Sequence, residues 1–72
     1  MTGTPIGNHL RRLRFEHGEL SQEALARAVG VTRQTIIAIE GGRYAPSLEL
    51  AMRLARVFKR GVDEVFFWQD AP

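Results

Sequence analysis

The chain has 72 residues, 44% of them hydrophobic and 25% charged, with 10 basic against 8 acidic side chains and no cysteine. That length predicts one domain over 1–72 with a small core, because so short a chain buries only about 60–65% of its unfolded surface. The lack of cysteine excludes a disulfide framework and a Cys-based zinc site, and two histidines, His9 and His17, are too few for a His-rich one.

No apolar run approaches the ~20 residues of a membrane helix, and Met1 to Gly7 lacks the charged and apolar regions of a signal peptide. The expectation is a soluble, cytoplasmic protein without metal or cofactor. The net charge of +2 is a weak pointer to a nucleic-acid partner. Its distribution says more. Residues 1–44 hold six Arg and four Glu, whereas residues 61–72 hold Asp63, Glu64 and Asp70 and no base. The two ends of the chain therefore belong to different surfaces.

In chain order, five short helices are predicted. The first runs from about Asn8 to His17, with Leu10, Leu13 and Arg14 on one face, Ile6 in line if the helix starts early, and Phe15 nearly opposite. Gly18-Glu19 ends it. Ser21 caps the second, whose stripe is Leu25, Ala28 and Val29, with Glu23 in the first turn and Gly30 as the stop. Thr32 caps the third, Arg33 to about Glu40, with Ile36 and Ile39 inward and Gly41-Gly42 beyond. Pro46 closes a loop over 41–46. Ser47 caps the fourth, with its stripe at Leu50, Ala51, Leu54, Ala55, Val57 and Phe58. Gly61 precedes a fifth segment, Val62 to Phe66. The residues Phe67-Trp68-Gln69 read as a short strand or a docking tail.

The informative stretch is 22–40. Two helices separated only by Gly30-Val31-Thr32 must cross steeply, which is helix-turn-helix geometry. Ala26 stands at the crossing, where only a small side chain lets the helices approach. Gly30 stands where the turn calls for a positive φ. Leu25, Val29, Val31, Ile36 and Ile39 fill the positions that must be apolar to hold the angle.

On these residues, the stretch QEALARAVGVTRQTIIAIEGGRYAPSLELAMRLARVF closely resembles the Xre/lambda-repressor-like helix-turn-helix regulators. The resemblance covers about residues 8 to 66 and is strongest to small stand-alone members. It implies an all-α, compact five-helix domain with a short C-terminal aromatic tail or strand, binding double-stranded DNA as a dimer. The turn at Glu19 is one residue longer than the family pattern.

Helix geometry selects the reading residues. With Ile36 and Ile39 buried, Gln34, Ile37, Ala38 and Gly41 project outward and Arg33 lies on the flank. Arg33 and Gln34 are the candidates for guanine and adenine edges, and Ile37 and Ala38 for thymine methyls. Gln22, Thr32, Thr35, Arg43 and Tyr44 are candidates for the DNA backbone, the family resemblance placing such contacts at Gln22 and around Arg43. Arg14 and Glu40 lie toward the core, where a charge needs a partner. The family often pairs these positions, which implies a structural ion pair. His9 and His17 read as structural or solvated, His17 near the first helix's C-terminal end.

A five-helix core absorbs Val65 and Phe66 but not Phe67 and Trp68. The expectation is a homodimer interface at Phe67 and Trp68, in a tail over 67–72 that pairs as a strand with Thr2 to Ile6. The alternative is that Trp68 folds back on its own domain. The function expected is a sequence-specific transcriptional regulator, a repressor on an inverted-repeat operator. The alternative is an antitoxin-type protein that binds a toxin partner and autoregulates its operon. An enzyme is not expected: there is no Cys nucleophile, Asp63 and Glu64 sit on a short polar turn, and no Gly-rich phosphate loop is present.

Overall fold

Three hydroxyls set where three of the helices begin. In the computed structural model, which describes residues 3–69, the side chain of Ser21 accepts from the N–H of Ala24, that of Thr32 from Thr35 and that of Ser47 from Leu50. Each satisfies one of the N–H groups that a helix start leaves without an intrahelical partner. The helices they open are α2 (Gln22–Val29), α3 (Arg33–Glu40) and α4 (Leu48–Val57), preceded by α1 (Leu10–Glu16) and followed by the single turn α5 (Val62–Val65).

Two short strands complete the described chain, β1 (Ile6–Asn8) and β2 (Phe66–Trp68). They pair antiparallel, with Ile6 opposite Trp68, Gly7 opposite Phe67 and Asn8 opposite Phe66. Bonds from His9 N–H to the Val65 carbonyl at 2.9 Å and from Gln69 N–H to the Pro5 carbonyl at 2.8 Å extend the ladder at both ends. Pro5 contributes only its carbonyl there, as a residue without an N–H must.

This sheet revises the all-α expectation at the edges. Ile6 and Asn8 belong to β1 and not to the first helix, and Phe66 is extended and opens β2. The strand partner of the aromatic tail lies in the same chain. Of the expected segment Thr2 to Ile6, Thr2 is outside the described residues, as are 70–72 of the expected tail. Asn8 still serves α1 from its strand: its side-chain oxygen accepts from the Leu10 N–H, and its amide donates to the Ile39 carbonyl at 2.9 Å. One asparagine thereby ties β1 to the starts of α1 and the end of α3.

The core gathers from every helix. Leu10, Leu25, Ile36, Ile39, Leu54 and Val65 are fully buried. Val29 and Ala26 are buried beside them, and Val31 packs against the cluster from the turn. Ala28, read as part of the α2 stripe, is exposed, and Ala26 takes the inward place. On α4 the buried side chains are Ala51, Leu54 and Ala55, with Phe58 following, while Leu50 and Val57 are half-buried.

Gly30 adopts φ 78° in the turn, and the Val31 N–H reaches the Ala26 carbonyl at 3.0 Å. That left-handed residue lets α3 start in a new direction immediately after α2. Glu19 has φ 55° without being glycine, in the turn between α1 and α2. His17 stands at the C-cap of α1, and its imidazole meets the Phe58 ring edge-on at 5.6 Å.

Candidate nucleic-acid interface

Helix α3 has its buried stripe at Ile36 and Ile39 and turns its opposite side outward. At its N-terminal end Arg33 and Gln34 are exposed; Thr35, Ile37 and Ala38 are half-buried. Thr32 and Thr35 face each other, their hydroxyl oxygens 3.1 Å apart, so the cap and the first turn are braced by side chains. Arg43 and Tyr44 are exposed in the following loop. The Arg43 N–H donates to the Ala38 carbonyl at 3.0 Å, which fixes the backbone of that loop against the end of α3.

A groove runs between α1, the start of α2 and α3. Arg11, Arg14, Gln22, Arg33, Ile37 and Glu40 line it. Within it Arg14 grips Glu40 through two parallel hydrogen bonds, Nε to Oε2 at 2.7 Å and Nη2 to Oε1 at 3.0 Å. The remaining Arg14 nitrogen, Nη1, donates to the Leu20 carbonyl at 3.0 Å, and the Gln22 amide donates to Glu40 Oε1 at 3.1 Å. The two charged side chains are only 15% and 10% exposed. A bidentate, hydrogen-bonded pair of this kind is the form in which ions tolerate a shielded site. Four positions on α1, the turn, α2 and α3 are thereby held to one another.

Gln22 is thus half-engaged by protein. One amide hydrogen is taken by Glu40, and its second hydrogen and carbonyl oxygen have no hydrogen-bond partner among the described residues. Arg43, Tyr44, Phe67 and Trp68 do not line the groove. Phe67 stacks on His9 with ring centroids 4.6 Å apart, and its ring lies over Gly7, occupying the space a Cβ there would need. Trp68 is 70% exposed, so it does not fold back on its own domain.

The cations divide into two classes. Arg12, Arg14, Arg27 and Arg53 each face a carboxylate: Glu16, Glu40, Glu23 and Glu49. Arg11, Arg33, Arg43, Arg56, Lys59 and Arg60 face none among the described residues. The first three of these surround the exposed side of α3. Two positions escape the sequence reading. Arg11 shares the groove with Arg33, and its spacing of three from Arg14 was the available signal. Arg53 donates from Nη1 to the Val29 carbonyl at 3.3 Å, holding the C-terminal end of α2 where a cation is favoured.

A helix-turn-helix family model matches residues 10–65, spanning α1 through α5. The chain belongs to the Xre/lambda-repressor-like helix-turn-helix family. This helix-turn-helix chain is 57% identical over 62 residues to an uncharacterised HTH-type transcriptional regulator of Methanothermobacter thermautotrophicus, covering 85% of this chain and 88% of the relative. It is 48% identical over 63 residues to another such regulator in Methanocaldococcus jannaschii, covering 88% and 94%. Among solved structures, the P22 c2 repressor in complex with a synthetic operator is similar at TM-score 0.65 and 25% identity, covering 75% of this chain and 85% of that one. The family is one of DNA-binding transcriptional regulators. No helix among the described residues is long and apolar enough to cross a membrane, and the described residues hold no cluster of metal-ligating side chains.

Proposed function

We propose that this helix-turn-helix chain binds duplex DNA sequence-specifically as a homodimer, on an inverted-repeat operator, and represses transcription by covering it. The observation that carries the reading is the exposed N-terminal end of α3. Arg33 and Gln34 stand there without protein partners among the described side chains, on a helix tied at its C-terminal end to α1 and α2 by the Arg14–Glu40–Gln22 network.

Entering the major groove by that end, Arg33 bonds guanine O6 and N7 and Gln34 bonds adenine N6 and N7. Ile37 and Ala38 meet thymine methyl groups. Gln22, Thr32, Thr35, Arg43 and Tyr44 hold the flanking phosphates, and Arg11 joins them from the groove wall. Such contacts set register, while the base contacts set sequence. Phe67 and Trp68 form the dimer contact.

The test is selection of binding sites from a randomised duplex pool. Enrichment of an inverted repeat with half-sites one helical turn apart supports specific dimeric recognition. Enrichment of a single half-site removes the dimer and keeps DNA recognition. No enrichment at moderate salt overturns the reading.

A further inference from the structure

The small sheet has two outer edges, and they differ. In an antiparallel pair, alternate residues turn their N–H and C=O groups toward the partner strand, and the residues between them turn theirs away. The bonds from His9 N–H to the Val65 carbonyl and from Gln69 N–H to the Pro5 carbonyl fix which are which. Val65, Phe67 and Gln69 face β1, so the main-chain groups of Phe66 and Trp68 point out of the sheet. In β1 the outward residue Ile6 is closed off by its own chain. Its N–H donates to the Thr4 hydroxyl at 3.1 Å, and the Thr4 N–H donates to the Gly42 carbonyl at 3.2 Å. In β2 the Phe66 N–H is likewise taken, by the Val62 carbonyl of α5. The N–H and C=O of Trp68 have no partner among the described residues. An open strand edge of this kind is a template for another strand. Leu48 and Met52 on α4 are also bare, but an apolar side-chain face does not select its occupant, whereas a main-chain edge accepts extended backbone.

We propose that Trp68 pairs main chain to main chain with Trp68 of a second copy, joining the two sheets into one four-stranded antiparallel sheet in the order β1-β2-β2-β1. The occupant is a second copy because the edge answers itself. Trp68 offers one free donor and one free acceptor, and in an antiparallel pair with its own copy each donor meets the other's acceptor. A two-fold axis through that pair closes the assembly at two. The register follows from α5. A pairing centred one residue earlier, on Phe67, would need the Phe66 N–H that α5 already holds. Centred on Trp68, the pairing joins free groups and sets Phe67 opposite Gln69 of the second copy. It also places the two exposed Trp68 side chains beside each other on one face of the sheet. Neither Phe67 nor Trp68 lines the groove beside α3. This inference rests on the homodimer proposed above and specifies its contact.

Nuclear magnetic resonance on a dimer mixed from labelled and unlabelled chains tests it, with sedimentation as the measure of association. The expected result is a contact between the α-protons of Phe67 and of Gln69 in the other copy, a pair that faces across the new ladder without bonding. The Trp68 amide proton is expected to exchange slowly only at concentrations where the dimer forms. A synthetic chain in which an ester oxygen replaces the Trp68 N–H keeps every side chain and every N–H that the β1–β2 ladder uses. It is expected to dimerise at least about tenfold more weakly, since both hydrogen bonds of the pair are lost.

A wild type that dimerises without a main-chain contact between the two β2 strands overturns the pairing and leaves the homodimer standing. An ester analogue that dimerises as tightly as the wild type does the same. A Phe67 α-proton that meets Phe67 of the other copy overturns the Trp68-centred register. A wild type that stays monomeric into the high micromolar range removes the homodimer itself and the pairing with it.

Discussion

Glu40 is the acceptor on which three elements converge, since it takes two bonds from Arg14 and one from Gln22. Removing one partner of a shielded pair leaves the other charge uncompensated, which is more costly than never having had the pair. Glu40→Ala is expected to destabilise the domain by about 3 kcal/mol, which lowers Tm by more than about 10 °C in a chain of this size. Thermal melting followed by circular dichroism checks this, and a melt like wild type would show that the network is worth little. Arg11 and Arg33 lie in the same groove but belong to different kinds of contact. Arg11→Ala should weaken DNA binding evenly across sequences and reduce the slope of log affinity against log salt by about one. Arg33→Ala should cost about 1–3 kcal/mol at one base position and relax specificity there. Titrations at several salt concentrations against matched and mismatched operators separate the two. A sequence-dependent loss at Arg11 would move it to the base-reading class.

At the scale of elements, the turns carry the direction of the chain. Gly30 and Glu19 both sit in the left-handed region, at φ 78° and 55°. One is glycine and the other is not, so substitutions at the two should act in opposite directions. Gly30→Ala is expected to destabilise by about 1–2 kcal/mol, the cost of a Cβ in that conformation. Nothing nearer than an Arg53 nitrogen at 3.6 Å meets the added methyl, so the cost is backbone strain and not a clash. Glu19→Gly removes the same strain and adds freedom to the unfolded chain, for a net gain of about 0.5 kcal/mol. Urea unfolding of both variants measures the pair, and a loss at Glu19→Gly would show that its side chain has a role beyond the turn. The helices themselves were legible because their signals are local. Ser21, Thr32 and Ser47 announce the starts of α2, α3 and α4, and Gly30 announces the end of α2. The aromatic strand was legible in Phe67-Trp68, but the bounds of its partner were not: β1 is Ile6-Gly7-Asn8, three residues with glycine in the middle, of which only Ile6 favours a strand. It exists because β2 lies beside it, from some sixty positions along the chain. The Phe67 ring fills the space over Gly7, as a cross-strand aromatic does for a glycine.

For the whole molecule, the distribution of unpaired charge organises the surface. Arg11, Arg33 and Arg43 surround α3, and Arg56, Lys59 and Arg60 stand at the end of α4. A local excess of positive charge on the side of α3 favours an anionic partner there. If the protein is a dimer, folding and association are linked, so Tm rises with protein concentration. Melting over a hundredfold range of concentration is expected to show that rise for the wild type and a flat response for Trp68→Ala. A concentration-independent wild-type Tm would remove the dimer. The helix-turn-helix assignment came from the sequence alone because its determinants are compressed into one stretch. Ala26, Gly30 and the apolar set at Leu25, Val29, Val31, Ile36 and Ile39 are fixed by helical period and by a three-residue turn, all within twenty positions. The same periodicity put Gln34 on the outer face of α3 and Arg33 on its flank. Arg11 on the groove wall, Arg53 on the end of α2, the strand pairing of Ile6 with Trp68 and the bare face at Leu48 and Met52 depend on which distant segments meet. Only the tertiary structure decides those, because a side chain's neighbours across the fold leave no period in its own segment.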